Sequence, residues 1–257
     1  MILQKEGCFI KFLNLENAKT PKGEKKGYLT GILYLAPSNE SSVINVCPFA
    51  KMAKCDETCL FTAGRGKFDS VKNARIRKTK FFAEDPNTFL NEIALDIYRL
   101  ENKAKKLQSI PLVRLNGTSD ILWEKQSFTL TVETAKKIDK DPGHYENIMS
   151  LFSHIQFYDY TKIAARENLP FNYDLTFSYS GVHSFQREVQ KAIDKGMRIA
   201  VVFRNKHTIP NEFLGMKVVN GDETDLRHLD PNGVVVSLYA KGKAKKDDSG
   251  FVVDVAV

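Results

Sequence analysis

Residues 28–35 read YLTGILYL and run through APSNESSVINV into CPFAKMAKCDETC, residues 47–59. One threonine and one glycine among otherwise apolar side chains describe a strand buried on both faces, as strands are inside a parallel sheet. The polar run PSNESS, 37–42, ends that strand. Three of the chain's four cysteines then follow at the spacing C-x7-C-x3-C. Thiolates are good ligands for zinc and for iron–sulfur clusters. Cys55 and Cys59 are four apart, so a helical turn would set both on one face, while Cys47, just before Pro48, reaches them from a loop. Buried cysteines more commonly serve as small apolar side chains. Here Lys51, Lys54, Asp56 and Glu57 make the segment too polar for a core helix, which favours a metal or cluster held by Cys47, Cys55 and Cys59.

Outward from this stretch, apolar runs recur at 110–115 (IPLVRL), 154–160 (HIQFYDY), 173–179 (YDLTFSY), 198–203 (RIAVVF), 216–219 and 234–239. An earlier run, GCFIKFL at 7–13, holds the outlying Cys8, and 16–27 reads as a polar loop. Helical patterns lie between the strands: 67–82, a helix opening on Asp85-Pro86 and fraying into ENKAKK, a stretch around VETAKKIDK stopped by Asp141-Pro142-Gly143, and 184–195 closed by Gly196. Strands alternating with helices predict an α/β fold, a full or partial (β/α) barrel with a mainly parallel sheet and the cysteine loop after its first strand. An open doubly wound sheet is the alternative. With no repeat or linker, residues 1–257 are expected to form one domain, the strand at 7–13 being a short extension.

Composition is that of an ordinary globular chain with a substantial core. No window is apolar enough to span a membrane, and clustered cysteines do not describe a secreted disulfide scaffold, so a reducing cytoplasm is expected. The net charge is +7. Residues 65–80 carry Arg65, Lys67, Lys72, Arg75, Arg77, Lys78 and Lys80 against Asp69 alone, and 241–246 carry Lys241, Lys243, Lys245 and Lys246. Both runs tilt the expected partners toward DNA or RNA, through phosphate contacts.

In parallel α/β folds, sites form where strand carboxyl ends meet the following loops. The strand ends here offer Asn116, Gly117, Ser119 and Asp120, then Asp159, Tyr160 and Lys162, then Ser180 and His183, then Arg204 and His207, and later Asp222. Asp120 and Asp159 are candidate bases or ribose ligands, and Lys162 and Arg204 candidate anion holders. Tyr160 and Lys162 pair a phenol with a cation. Cys8, His183 and His207 are candidate fourth ligands to a metal. No Walker, Rossmann, HExxH or zinc-finger spacing is present.

The segments NVCPFAKMAKCDETCLFTAGRG, VRLNGTSDILWE, QFYDYTK, LTFSYSG and NGDETDLRHLDPNGVVVSLYAKGKAK, between Gly27 and Gly250, resemble the gene-product-88 family of bacteriophage proteins. That resemblance implies a virus-encoded protein in the cytoplasm of a bacterial host and carries no reaction with it. A buried strand, an immediate three-cysteine loop and repeated βα units are more distantly similar to radical S-adenosylmethionine enzymes. That likeness implies a [4Fe–4S] cluster on Cys47, Cys55 and Cys59, with S-adenosylmethionine as a second cofactor. It also places Asn116, Gly117 and Ser119 near the methionyl amine; Ser180 and Arg204 join them as candidate cofactor contacts. The usual C-x3-C-x2-C is C-x7-C-x3-C here, and Thr58 stands where an aromatic residue usually precedes the third cysteine. The expected function is an iron–sulfur protein acting by radical chemistry on a nucleotide or nucleic acid. One rival is a divalent-metal nuclease or nickase using Asp120, Asp159, His183 and Asp222, with structural cysteines. Another is a non-catalytic nucleic-acid-binding iron–sulfur protein.

Overall fold

The computed structural model describes residues 11–15, 20–59, 61 and 64–255. In chain order the elements are β1 (Leu13–Asn14), α1 (Thr20–Glu24), β2 (Tyr28–Leu33), α2 (Asp69–Glu84), α3 (Pro86–Lys106), β3 (Ile110–Arg114), β4 (Phe128–Leu130), α4 (Val132–Ile138), β5 (Gly143–Tyr145) and α5 (Ile148–Leu151). They continue with β6 (Gln156–Thr161), β7 (Tyr173–Ser178), α6 (Gln186–Asp194), β8 (Ile199–Phe203), β9 (Glu212–Phe213), β10 (Met216–Asn220) and β11 (Val235–Tyr239).

The apolar runs become one nine-stranded sheet in the order β1-β2-β3-β6-β7-β8-β11-β10-β9. Neighbours are parallel from β2 through β10, and antiparallel only where β1 and β9 border the sheet. Among the described residues its two edges do not pair, so the fold is mixed α/β with a large, mostly parallel sheet, as expected, and of the expected full or partial barrel the full, closed form is corrected. The order follows the chain from β2 to β8 and breaks once, where β11 inserts between β8 and β10. A doubly wound sheet would reverse near its middle, and this one does not.

Helix α3 shows how the sequence builds the core. Asp85 accepts a hydrogen bond from the Thr88 amide at 3.0 Å and Pro86 occupies the first helical position, two devices that start a helix. The apolar stripe Phe89, Ile93, Ile97 and Leu100 is fully buried against Leu29, Leu33, Val113 and Phe157 of the sheet. Phe89 packs edge-on to Phe12 and Phe82, at 5.2 and 5.3 Å between ring centres. Burying such a ring contributes roughly 2–3 kcal/mol. Asp96, on the same helix, accepts the amides of Phe12 and Leu13 at 2.7 and 3.0 Å and ties β1 to the core.

Several local expectations are corrected. The ENKAKK end of α3 stays helical to Lys106. Residues 20–24, read as loop, form α1. Helix α4 stops on Asp139, whose positive φ of 54° ends it before the Asp141-Pro142-Gly143 turn. The β4–β5 pair was not foreseen, because three-residue strands are too short for a period to show. Cys8 and most of the 7–13 run lie outside the described residues.

On the sheet face that bears Tyr158 and Tyr160, the segment 222–230 covers a buried layer of charge. Arg114 meets Asp225 at 2.8 Å and stacks over the Tyr160 ring at 4.7 Å. Arg198 meets Asp174 at 2.7 Å, and Arg227 meets Asp230 at 3.0 Å.

Candidate thiol site at the carboxyl end of the sheet

From residue 38 to residue 59 the chain folds as successive turns and bends, so no helical turn joins Cys55 to Cys59. Hydrogen bonds fix these turns over the carboxyl ends of β3, β6 and β7. The Asp120 amide donates to the Val46 carbonyl at 2.8 Å, the Thr118 hydroxyl to the Leu35 carbonyl at 2.6 Å, and the Cys47 thiol to the Thr118 carbonyl at 3.6 Å. The Ser180 hydroxyl, fully buried, donates to the Ala53 carbonyl at 2.9 Å, and the Ser184 hydroxyl to the Met52 carbonyl at 3.0 Å. Gly117 is needed for this approach. A Cβ there would stand 2.6 Å from the Leu33 carbonyl oxygen, so no side chain fits without moving backbone.

The turns leave Cys47, Cys55 and Cys59 as half-buried thiols outside any disulfide and within electrostatic reach of one another. Burial pushes the Cys47 thiol up to about 12 and the Cys59 thiol up to about 11, and raises Cys55 as well. In the metal-free protein they are therefore neutral at pH 7. Two cations face them. The Lys162 ammonium donates to the Ser178 carbonyl at 3.0 Å and hydroxyl at 3.2 Å, between the Phe185 and Phe251 rings. Burial lowers its pKa, while all three thiols and Asp120 act to raise it. Arg75, on α2, lies over the Tyr34 ring at 4.9 Å and near Cys59. Among the described residues, the buried Nε and Nη1 of Arg75, Oδ1 of Asp56 and Oγ1 of Thr58 have no hydrogen-bond partner. Native proteins rarely leave such groups unpaired, and a site is one place where they do.

Other predicted residues are engaged in building the turns. Asn116 accepts from the Ser119 hydroxyl, the Ile121 amide and the Trp123 indole at 2.8–3.0 Å. Asp120 accepts the Lys162 amide at 2.7 Å and lies 3.5 Å from Arg166, and burial raises its pKa. Asp159 is fully buried and accepts the Asn116 amide at 2.8 Å and the Tyr173 hydroxyl at 3.0 Å. Burial raises its carboxyl to about 7 against the pull of Arg114. Arg204 is committed to Asp254 and to the Lys245 and Asp247 carbonyls, which tie down the C-terminal segment. His183 and His207 are exposed, and Asp222 accepts the Tyr239 amide at 2.7 Å and pairs with Lys241. Among the described residues, neither Cys47, Cys55 and Cys59 nor Asp120, Asp159, His183 and Asp222, nor any other three Cys, His, Asp or Glu side chains, gather as placed into a group able to hold a metal ion.

The basic run is divided. Lys78 is buried and donates to the Phe12 carbonyl at 2.9 Å, Arg75 turns toward the thiols, and Lys67, Arg77 and Lys80 face solvent. Lys241, Lys243, Lys245 and Lys246 are all exposed around the buried Ala244. No helix among the described residues is long and apolar enough to cross a membrane. Arg166 and Glu124 escaped the sequence reading. They form a buried bidentate pair that joins Asp120 to Tyr173 and, through it, to Asp159. An isolated arginine in a polar turn gives no signal of this.

No curated protein and no solved structure matches the chain, and the likeness to radical S-adenosylmethionine enzymes finds no support. A family model described as gene product 88 matches residues 10–255, and the chain therefore belongs to the gene product 88 family.

Proposed function

We propose that the protein is an iron–sulfur protein whose cluster, of the [4Fe–4S] type, is held by Cys47, Cys55 and Cys59. The observation that supports this reading is that three reduced thiols lie within electrostatic reach of one another and of Lys162, with Arg75 near Cys59, at the carboxyl end of the parallel sheet. A single zinc ion with bonds near 2.3 Å holds its sulfurs only ~3.8 Å apart and takes four ligands when structural. A cluster separates its thiolates by its own width and can be held by thiolates alone. Bound, it would supply redox chemistry. The chain's part is to present three thiolates, surround them with low-dielectric walls and set two cations against their charge, which lowers the cost of ionising buried thiols.

The narrower version, with S-adenosylmethionine and a nucleotide substrate, has less behind it, because Asn116, Ser119, Ser180 and Arg204 spend polar atoms on the fold. The test is iron and sulfide analysis with a visible spectrum on protein purified without oxygen. About four of each per chain is the expected result, falling sharply in Cys55→Ser. Stoichiometric zinc, or a colourless folded protein that takes up no iron and sulfide on reconstitution, would overturn the reading.

A further inference from the structure

A pocket of about 290 Å³ opens between α2 and the chain that follows β2, lined by Glu40, Phe61, Asp69, Lys72, Asn73 and Arg75 among others. Its position is fixed by Thr79, whose hydroxyl donates to the Arg75 carbonyl at 2.9 Å and accepts the Ala36 amide at 2.9 Å. Charge is unevenly arranged in it. Glu40 and Asp69 are exposed at the rim, and Asp69 is paired with Lys72 at 3.7 Å. The guanidinium of Arg75 is held further in by the Tyr34 and Phe61 rings, at 4.9 and 5.9 Å. Its buried Nε and Nη1 find no acceptor among the described residues. An unpaired buried donor costs about 1–3 kcal/mol, more when charged, and is kept where an outside acceptor satisfies it.

We infer that this pocket is a binding site for a small oxyanion, a carboxylate or phosphate ester, with the anionic group on Arg75. The exposed acids at the mouth suit hydroxyl or amine donors on the rest of the same molecule. Arginine is the side chain best shaped for such a group, because its planar donors match two oxygens. The apolar atoms of Ala36, Phe61 and Ile76 on the wall exclude water, which strengthens the contact. The inference shares Arg75 with the thiol site but uses none of the thiol atoms, so its binding test is read apart from iron content.

The test is equilibrium dialysis of the full-length protein against radiolabelled inorganic phosphate and, separately, succinate. Saturable binding of one probe at one site per chain is expected, and whichever probe binds tells phosphate from carboxylate. Arg75→Gln should weaken it by at least about tenfold, the worth of one charged hydrogen bond. Asn73→Trp, an exposed change at the rim that leaves Arg75 intact, should block it by filling the mouth. Lys136→Gln, on α4, should leave it unchanged. Thermal melts of each variant distinguish lost binding from lost folding. No saturable binding of either probe up to about 10 mM, a range that covers even weak single-site contacts, would overturn the inference. So would binding that Arg75→Gln and Asn73→Trp leave intact in folded protein.

Discussion

Two regions bury charge in this protein, and they do so in opposite ways. On the face covered by 222–230, each buried arginine meets a carboxylate: Arg114 with Asp225, Arg198 with Asp174, Arg227 with Asp230. At the carboxyl end of the sheet, Lys162 and Arg75 meet thiols that burial keeps neutral, and Asp56, Thr58 and Arg75 keep unpaired buried atoms. The first arrangement sets charge against charge and holds the segment to the sheet, although Arg114 Nε, Arg227 Nε and His228 Nδ1 make no hydrogen bond among the described residues. The second sets its cations chiefly against thiols. The two regions thus differ in what faces their cations, carboxylates in one and thiols in the other, and they should separate under mutation.

The largest effect is expected on the paired side. Arg114→Leu leaves Asp225 and the fully buried Asp159 without their cation. Removing one partner of a buried pair costs about 3–5 kcal/mol, because the remaining charge stays buried. Urea unfolding of the metal-free protein should show that loss, while Cys55→Ser in the same state stays within about 1 kcal/mol of the parent. Equal losses from both substitutions would erase the distinction between the regions.

Next comes the reactivity of the thiols without metal. With Cys47 raised to about 12 and Cys59 to about 11, the folded protein should hold roughly 100- to 1,000-fold less thiolate than a free cysteine at pH 8. Iodoacetamide alkylation should therefore be slow, keep accelerating above pH 9, and become ordinary in urea. The sign for stability follows. These groups release protons at lower pH when unfolded than when folded, so the unfolded state binds fewer protons between about pH 9 and 11 and stability falls as pH rises through that window. Fast alkylation at pH 8 in folded protein would mean that the thiols are solvated and that the cations opposite them serve only as surface charge.

Much of the paired region and little of the other could be read from residue order. The strands 28–33, 110–114, 156–161, 173–178, 199–203 and 235–239 were legible because burial leaves near-continuous apolar runs; 216–220, with no buried residue, was legible by its apolar residues alone. The start of α3 was legible in Asp85-Pro86 and its stripe. Closure was not, since whether a sheet's edges meet depends on twist and on the β11 insertion, which no local pattern records. Cys47, Cys55 and Cys59 announced themselves by residue type and spacing. Arg75 did not. It sits in a run of basic residues that looks uniform, and only its helical phase turns it inward while Arg77 and Lys80 face water. Arg204 shows the converse: a polar residue at a strand end that is consumed by the C-terminal segment.

The smallest effect expected is also the sharpest probe of the boundary between the regions. The Ser180 hydroxyl, fully buried after β7, donates to the Ala53 carbonyl at 2.9 Å, two residues before Cys55. Ser180→Ala removes that bond at a cost of about 1 kcal/mol. If the thiol turns open as a unit separate from the sheet, that cost falls on their local opening. Alkylation at Cys55 should then quicken about fivefold, the equivalent of that energy, while Cys59 follows and global unfolding in urea scarcely moves. If instead unfolding shifts by the whole amount and alkylation at low denaturant is unchanged, the turns are part of the same cooperative block as the Arg114 layer. The spacing of the three thiols would then be a fixed property of a rigid scaffold, set by the same core that holds the sheet together.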